Sequence, residues 1–128
     1  MRSPLGLHPR MRLRRQRDYQ RAYREGSRAR GRLLVVVAVE NELGWTRMGL
    51  AIGKKIWKGA VRRNRVRRIF REAFRLSRAE LPVGIDLILM AAEPGLDPQL
   101  EETRAELVHL AQKAHRRYLE KVAGGKRA

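Results

Sequence analysis

Lys54–Arg75, KKIWKGAVRRNRVRRIFREAFR, carries ten Lys and Arg against a single acid, Glu72. From Val61 onward its apolar residues return at helical spacing. Val66, Ile69, Phe70 and Ala73 span an arc of about 100° on a 3.6-residue wheel, the width of a core-facing stripe. Asn64, Arg67, Arg68, Arg71 and Arg75 occupy the opposite arc. One face therefore seats a helix on a core while the other displays guanidinium groups at one-turn intervals. Charged helix faces are ordinarily stabilised by partners of opposite sign three or four residues away. Here only Glu72 is available, four residues after Arg68 and three before Arg75, and it can neutralise one neighbour at most. The remaining arginines repel one another at a cost of roughly a few tenths of a kcal/mol per pair. Such a surface calls for an anionic ligand, and its pattern suits phosphates.

The flanking elements follow from local pattern. Upstream, Arg17–Glu25 reads as a short helix with Tyr19 and Tyr23 one turn apart and Gly26 at its C-terminal end. Core packing and base stacking are both open to these tyrosines. Arg32–Val39 (RLLVVVAV) and Arg47–Ile52 read as strands joined by the turn ENELGW, and an antiparallel pair is expected. Downstream, Leu81-Pro82-Val83-Gly84 breaks the chain before a third strand, Ile85–Ala91. A long helix from Gln99 to about Val122 has Leu100, Thr103, Leu107, Leu110, Ala114 and Tyr118 on one face, with Glu101, Glu102 and Glu106 read as solvated. The expected organisation is a flexible extension over residues 1–11 (with Met11 a candidate start), one RNA-binding domain over 12–122 and a flexible basic tail over 123–128. Strands, helix, strand and packing helix make a two-layer α+β sandwich. Its uncovered sheet face, flanked by the tyrosine helix, would form a trough for an unpaired nucleic-acid strand.

Composition narrows the function. With 128 residues the chain is one domain, and a net charge of +17 with pI near 11.6 is extreme for an ordinary enzyme. Zero cysteines remove disulfides, cysteine zinc sites and thiol nucleophiles. The sequence has neither a signal-peptide apolar run nor a membrane-length segment, so a soluble, cytoplasmic protein with no membrane partner is expected. His8, His109 and His115 do not share a face, the serines lie in no nucleophile-elbow context and the acids are thinly spread. No catalytic residue and no protein-held metal are expected.

GKKIWKGAVRRNRVRRIFREAF, with Arg63-Asn64-Arg65 followed by Val66-Arg67-Arg68 and Arg71-Glu72, resembles the RNR signature of the bacterial ribonuclease P protein subunits. The likeness runs from about Leu13 to Tyr118. It implies the order αβββαβα, with a further short strand near Ser27–Arg30 and an unusual left-handed βαβ crossover, similar to a domain of a small-subunit ribosomal protein. It also implies the non-catalytic component of a ribonucleoprotein endoribonuclease, whose catalytic RNA subunit uses Mg²⁺ to remove the 5′ leader of precursor tRNA. By matching position, Arg63, Arg65 and Arg68 resemble contacts to the RNA subunit. Tyr19, Tyr23, Asn64, Arg67 and Arg71 resemble the leader-binding cleft. Val37 stands where many members place a cleft-facing aromatic on the central strand, so the leader would be held more by charge here. Two other readings remain: a structural ribosomal-type RNA-binding protein, which has no need of a tyrosine-lined trough, and a protein nuclease, which needs a carboxylate or histidine cluster.

Overall fold

The strands that are apolar on both faces take the centre of the sheet. In the computed structural model, which describes residues 8–52 and 59–127, these are β2 (Leu34–Glu40) and β4 (Ile85–Ala91), with β1 (Ser27–Arg30) and β3 (Arg47–Ala51) at the edges. The order is β1-β2-β4-β3. β1–β2 and β2–β4 are antiparallel, whereas β3 and β4 are parallel and joined through α2 (Ala60–Ser77). With α1 (Gln16–Glu25) and α3 (Leu100–Arg127), the chain has the expected αβββαβα order, an α+β fold around a mixed sheet.

β2 and β3 therefore do not pair with each other as the turn between them suggests, because β4 lies between them. From Ile85 to Leu89 every residue of β4 is buried, and such a strand needs a neighbour on both sides and cover on both faces. The β2 ladder also starts at Leu34 rather than Arg32. The Glu106 carboxylate accepts the backbone N–H groups of Arg32, Leu33 and Leu34 at 3.0, 2.7 and 2.6 Å, so Glu106 is a structural clamp and not part of a solvated face.

Strand alternation divides the interior in two. Leu34, Val36, Ala38, Leu87 and Leu89 join Val66, Phe70, Phe74, Leu107 and Leu110 in the larger core, beneath α2 and α3. On the other face Val37, Val39 and Ile88 pack with Leu13 and Ala22 in a smaller cluster beneath α1, with Tyr19, Met90 and Tyr118 at its margin.

The described parts of both terminal segments contact the rest of the domain. Residues 1–7 lie outside the described residues, but Pro9–Met11 form a 3₁₀ turn and Met11 is buried in the larger core. Leu13 N–H then donates to Met48 O at 2.9 Å, and Arg12 bridges Met48 in parallel, covering the outer edge of β3. At the other end α3 continues through Arg127, across the stretch expected as tail. Lys121 Nζ ties it to the end of α1, donating to Glu25 O and Gly26 O at 3.1 and 3.3 Å. Among the described residues no helix is long and apolar enough to cross a membrane.

Candidate nucleic-acid interface

Register places three rows of side chains across the face that carries α1. The first is Arg30–Val35–Met90–Ala51, the second Arg28–Val37–Ile88–Gly49, and the third Val39–Asp86–Arg47. The second and third rows lie under α1, where Val37, Val39, Ile88 and Asp86 are at most 1% exposed. Val35, Met90 and Ala51 of the first row are only partly covered. They form the floor of an open trough whose wall is the tyrosine stripe of α1.

Each tyrosine has its own role in that wall. Tyr19 is half-buried, and its Oη accepts the Leu50 N–H at 3.2 Å while lying 3.4 Å from Leu50 O and 3.5 Å from Leu13 O. Its ring lies on Gly49, where an added Cβ would come within 2.5 Å of Tyr19 Oη, so only glycine admits this approach. Burial pushes the Tyr19 phenol above its ordinary value, against the Leu50 hydrogen bond and the Arg67 charge. Tyr23, 39% exposed, is one turn further along, with the Arg28 guanidinium 5.8 Å from its ring.

α2 supplies the opposing charge. Gly59 is its N-cap, with a φ of 87° that is natural only to glycine. Residues 53–58, the start of the signature segment, lie outside the described residues. Arg67 and Arg71 reach over β3 and, with Arg12 and Tyr19, line a cavity of about 140 Å³ over Leu13, Met48, Gly49 and Leu50. No carboxylate lines it. Burial, then the charges of Arg67, Arg12 and Arg68, lower the Arg71 pKa, although a guanidinium remains protonated at any physiological pH. An anion entering here would relieve that repulsion.

The other α2 positions divide by azimuth. Arg63 lies one turn before Arg67 on the trough flank, and Asn64 and Arg68 are exposed on the outer face. Arg65 is about 200° from Arg63 on the helix wheel. It sits on the far flank, 3.5 Å from Asp97, and both side chains are more than half exposed. Arg63, Arg65 and Arg68 therefore span much of the helix circumference. Glu72 is committed to Arg75, accepting from its Nε and Nη2 at 2.8 and 2.9 Å, and that pairing holds its carboxyl below the usual range.

The structure thus brings Tyr19, Arg67 and Arg71 together, while Tyr23, one turn further along α1, and Asn64, on the outer face of α2, do not line the cavity. It removes Val37 from the surface: at 1% exposure under α1 it cannot touch a ligand. The partly open position on the same face of β2 is Val35, two residues earlier. Arg12, Arg28, Arg30 and Met90 were not identified by sequence reasoning. The alternation of arginine with small residues in SRAR was the available signal for Arg28 and Arg30. Nothing local marks Arg12, which reaches the cavity only because the chain before α1 runs along β3. Among the described residues no group of three or more His, Asp or Glu side chains could hold a metal ion. His115 is instead 3.2 Å from Glu40.

A buried-backed arginine helix beside an open, tyrosine-walled sheet face defines an RNA-binding α+β protein. The sequence profile of the family described as Ribonuclease P matches residues 7–115. The ribonuclease P protein component of Pelotomaculum thermopropionicum is 36% identical over 102 residues, covering 80% of this chain and 90% of that protein. The Staphylococcus aureus RNase P protein superposes with a TM-score of 0.70 at 30% identity, covering 81% of this chain and 94% of that one. The Thermotoga maritima RNase P protein gives 0.70 at 27% identity, covering 80% and 96%. The chain belongs to the ribonuclease P protein family, the protein components of a ribonucleoprotein endoribonuclease. The ribosomal-type alternative is not favoured by these relatives.

Proposed function

We propose that the protein works within ribonuclease P by gripping two RNAs at once. Arg63, Arg65 and Arg68 hold the catalytic RNA subunit through its phosphates. The trough holds the single-stranded 5′ leader of precursor tRNA, with Tyr19 and Tyr23 as its aromatic wall and Asn64, Arg67 and Arg71 as polar contacts. To these we add Arg12 at the mouth and Val35, Met90 and Ala51 as the floor. The observation that carries this reading is the convergence of Arg12, Arg67 and Arg71 on Tyr19 in one cavity without a carboxylate. Guanidinium forks suit phosphate oxygens, while an exposed aromatic face suits any unpaired base. We assign the Mg²⁺ ions of the reaction to the RNA subunit, as the likeness to the ribonuclease P proteins implies. The enzyme is placed in the cytoplasm.

Cleavage assays test this. Protein alone leaves precursor tRNA intact at every Mg²⁺ concentration. Added to the RNA subunit it lowers the Mg²⁺ needed for cleavage, because its positive charge relieves phosphate repulsion on docking. RNA-free protein that cuts at the mature 5′ end, and loses that activity when one acidic residue is replaced, would overturn the proposal.

A further inference from the structure

On the other side of the first turn of α1 from the trough lies a second basic surface. Arg10, Arg12, Arg14, Arg15, Arg17 and Arg47 line an open basin of about 420 Å³. Its one acid is Asp18, which sits 3.7 Å from Arg47, and Arg47 spends its fork on the buried Asp86. Arg12, Arg14, Arg15 and Arg17 have no carboxylate partner among the described residues. The segment that carries the first of them is held in place. Met11 and Leu13 are buried in the two cores while Arg12 and Arg14 are exposed, so these two arginines leave the same side of the segment, their Cα atoms about 6.6 Å apart at the rise of extended backbone.

The basin offers charge and no free aromatic face. Trp45, its one aromatic, donates Nε1–H to Arg10 O at 2.9 Å and is covered by the Arg10 guanidinium 4.9 Å from its ring. An unpaired strand gains much of its affinity by stacking bases, whereas a helix of paired RNA presents mainly backbone. We propose that this basin binds the sugar-phosphate backbone of a paired RNA segment and, resting on the function proposed above, that the segment belongs to the catalytic RNA subunit. Arg12, shared by basin and trough mouth, sets the two RNAs side by side.

The test is an Arg14→Gln/Arg15→Gln/Arg17→Gln variant of the full chain, titrated against the RNA subunit over a salt series. Reconstituted enzyme is then titrated with precursor tRNAs bearing short and long leaders. The expected result is a loss of about tenfold or more in affinity for the RNA subunit. The log–log salt slope becomes shallower by about two to three units, and leader length makes no difference. The corresponding triple Lys variant recovers most of the affinity, since an ammonium still meets a phosphate as a point charge. Should the triple Gln variant melt below wild type, Arg14→Gln alone is expected to lower the slope by about one unit. Unchanged affinity and slope in a variant that melts like wild type would overturn the inference, as would a loss seen only with long leaders. Wild-type protein that fails to bind the RNA subunit would instead overturn the function on which the inference rests.

Discussion

Tyr19 and Tyr23 are one helical turn apart and differ in what holds them. Tyr19 pins α1 to β3 through Leu50, and its ring lies against Gly49, where an added Cβ would collide with it. Tyr19→Phe leaves the half-buried Leu50 N–H without its acceptor and is expected to lower folding stability by about 1 kcal/mol while precursor affinity changes little. Tyr23→Ala should leave the melting temperature nearly unchanged and cost about 1–3 kcal/mol in affinity for leader-bearing RNA. Thermal melts and binding titrations on the two variants separate the roles; a Tyr23→Ala protein that melts far below wild type would make that ring a core residue. Periodicity placed both tyrosines on one stripe and could not separate them, since the difference depends on which strand lies beneath each. Val37 carries the same lesson: the family likeness puts it on the cleft side of the central strand, but only the position of α1 says which row on that face stays open.

At the scale of elements, α1 is aimed by an ion-pair latch. Asp86, 1% exposed on β4, accepts Arg47 Nε and Nη2 at 2.8 and 2.7 Å and Asn41 Nδ2 at 2.9 Å, and Arg47 reaches on to Asp18 of α1. Asp86→Ala leaves the Arg47 charge without its buried partner. It should cost about 3–5 kcal/mol of stability, read by urea denaturation; a change below about 1 kcal/mol would mean that the latch does not set α1. α2 should behave in the opposite way. Arg63→Ala/Arg65→Ala/Arg68→Ala removes like-charge repulsion, so the helix keeps its stability, while RNA-subunit binding loses about one unit of salt slope per lost phosphate contact. An unchanged slope in that folded variant would make these arginines a merely solvated face. The α2 boundaries and its two faces were legible because apolar and basic residues segregate at helical period. The exchange of β3 for β4 beside β2 was not, because a short turn suggests a hairpin and the sequence between β3 and β4 does not reveal a parallel crossover. Its trace was in β4 itself, whose apolar residues leave no face for solvent.

For the whole molecule, the net charge of +17 is an address for polyanions and says nothing about which one. Its distribution is more informative. The acids at the start of α3 are used internally, Glu106 on the β2 backbone and Glu102 on Arg32, while the trough and its mouth collect arginines. The central claim is that this trough reads the leader, and the most direct measurement compares precursor with mature tRNA on reconstituted enzyme carrying Tyr23→Ala and Arg67→Ala together. Both substrates share the tRNA body, so any difference between them isolates the leader. The account predicts a loss of roughly tenfold or more in affinity for precursor tRNA and almost none for mature tRNA. Equal losses for both RNAs in a folded variant would contradict it and place the leader elsewhere.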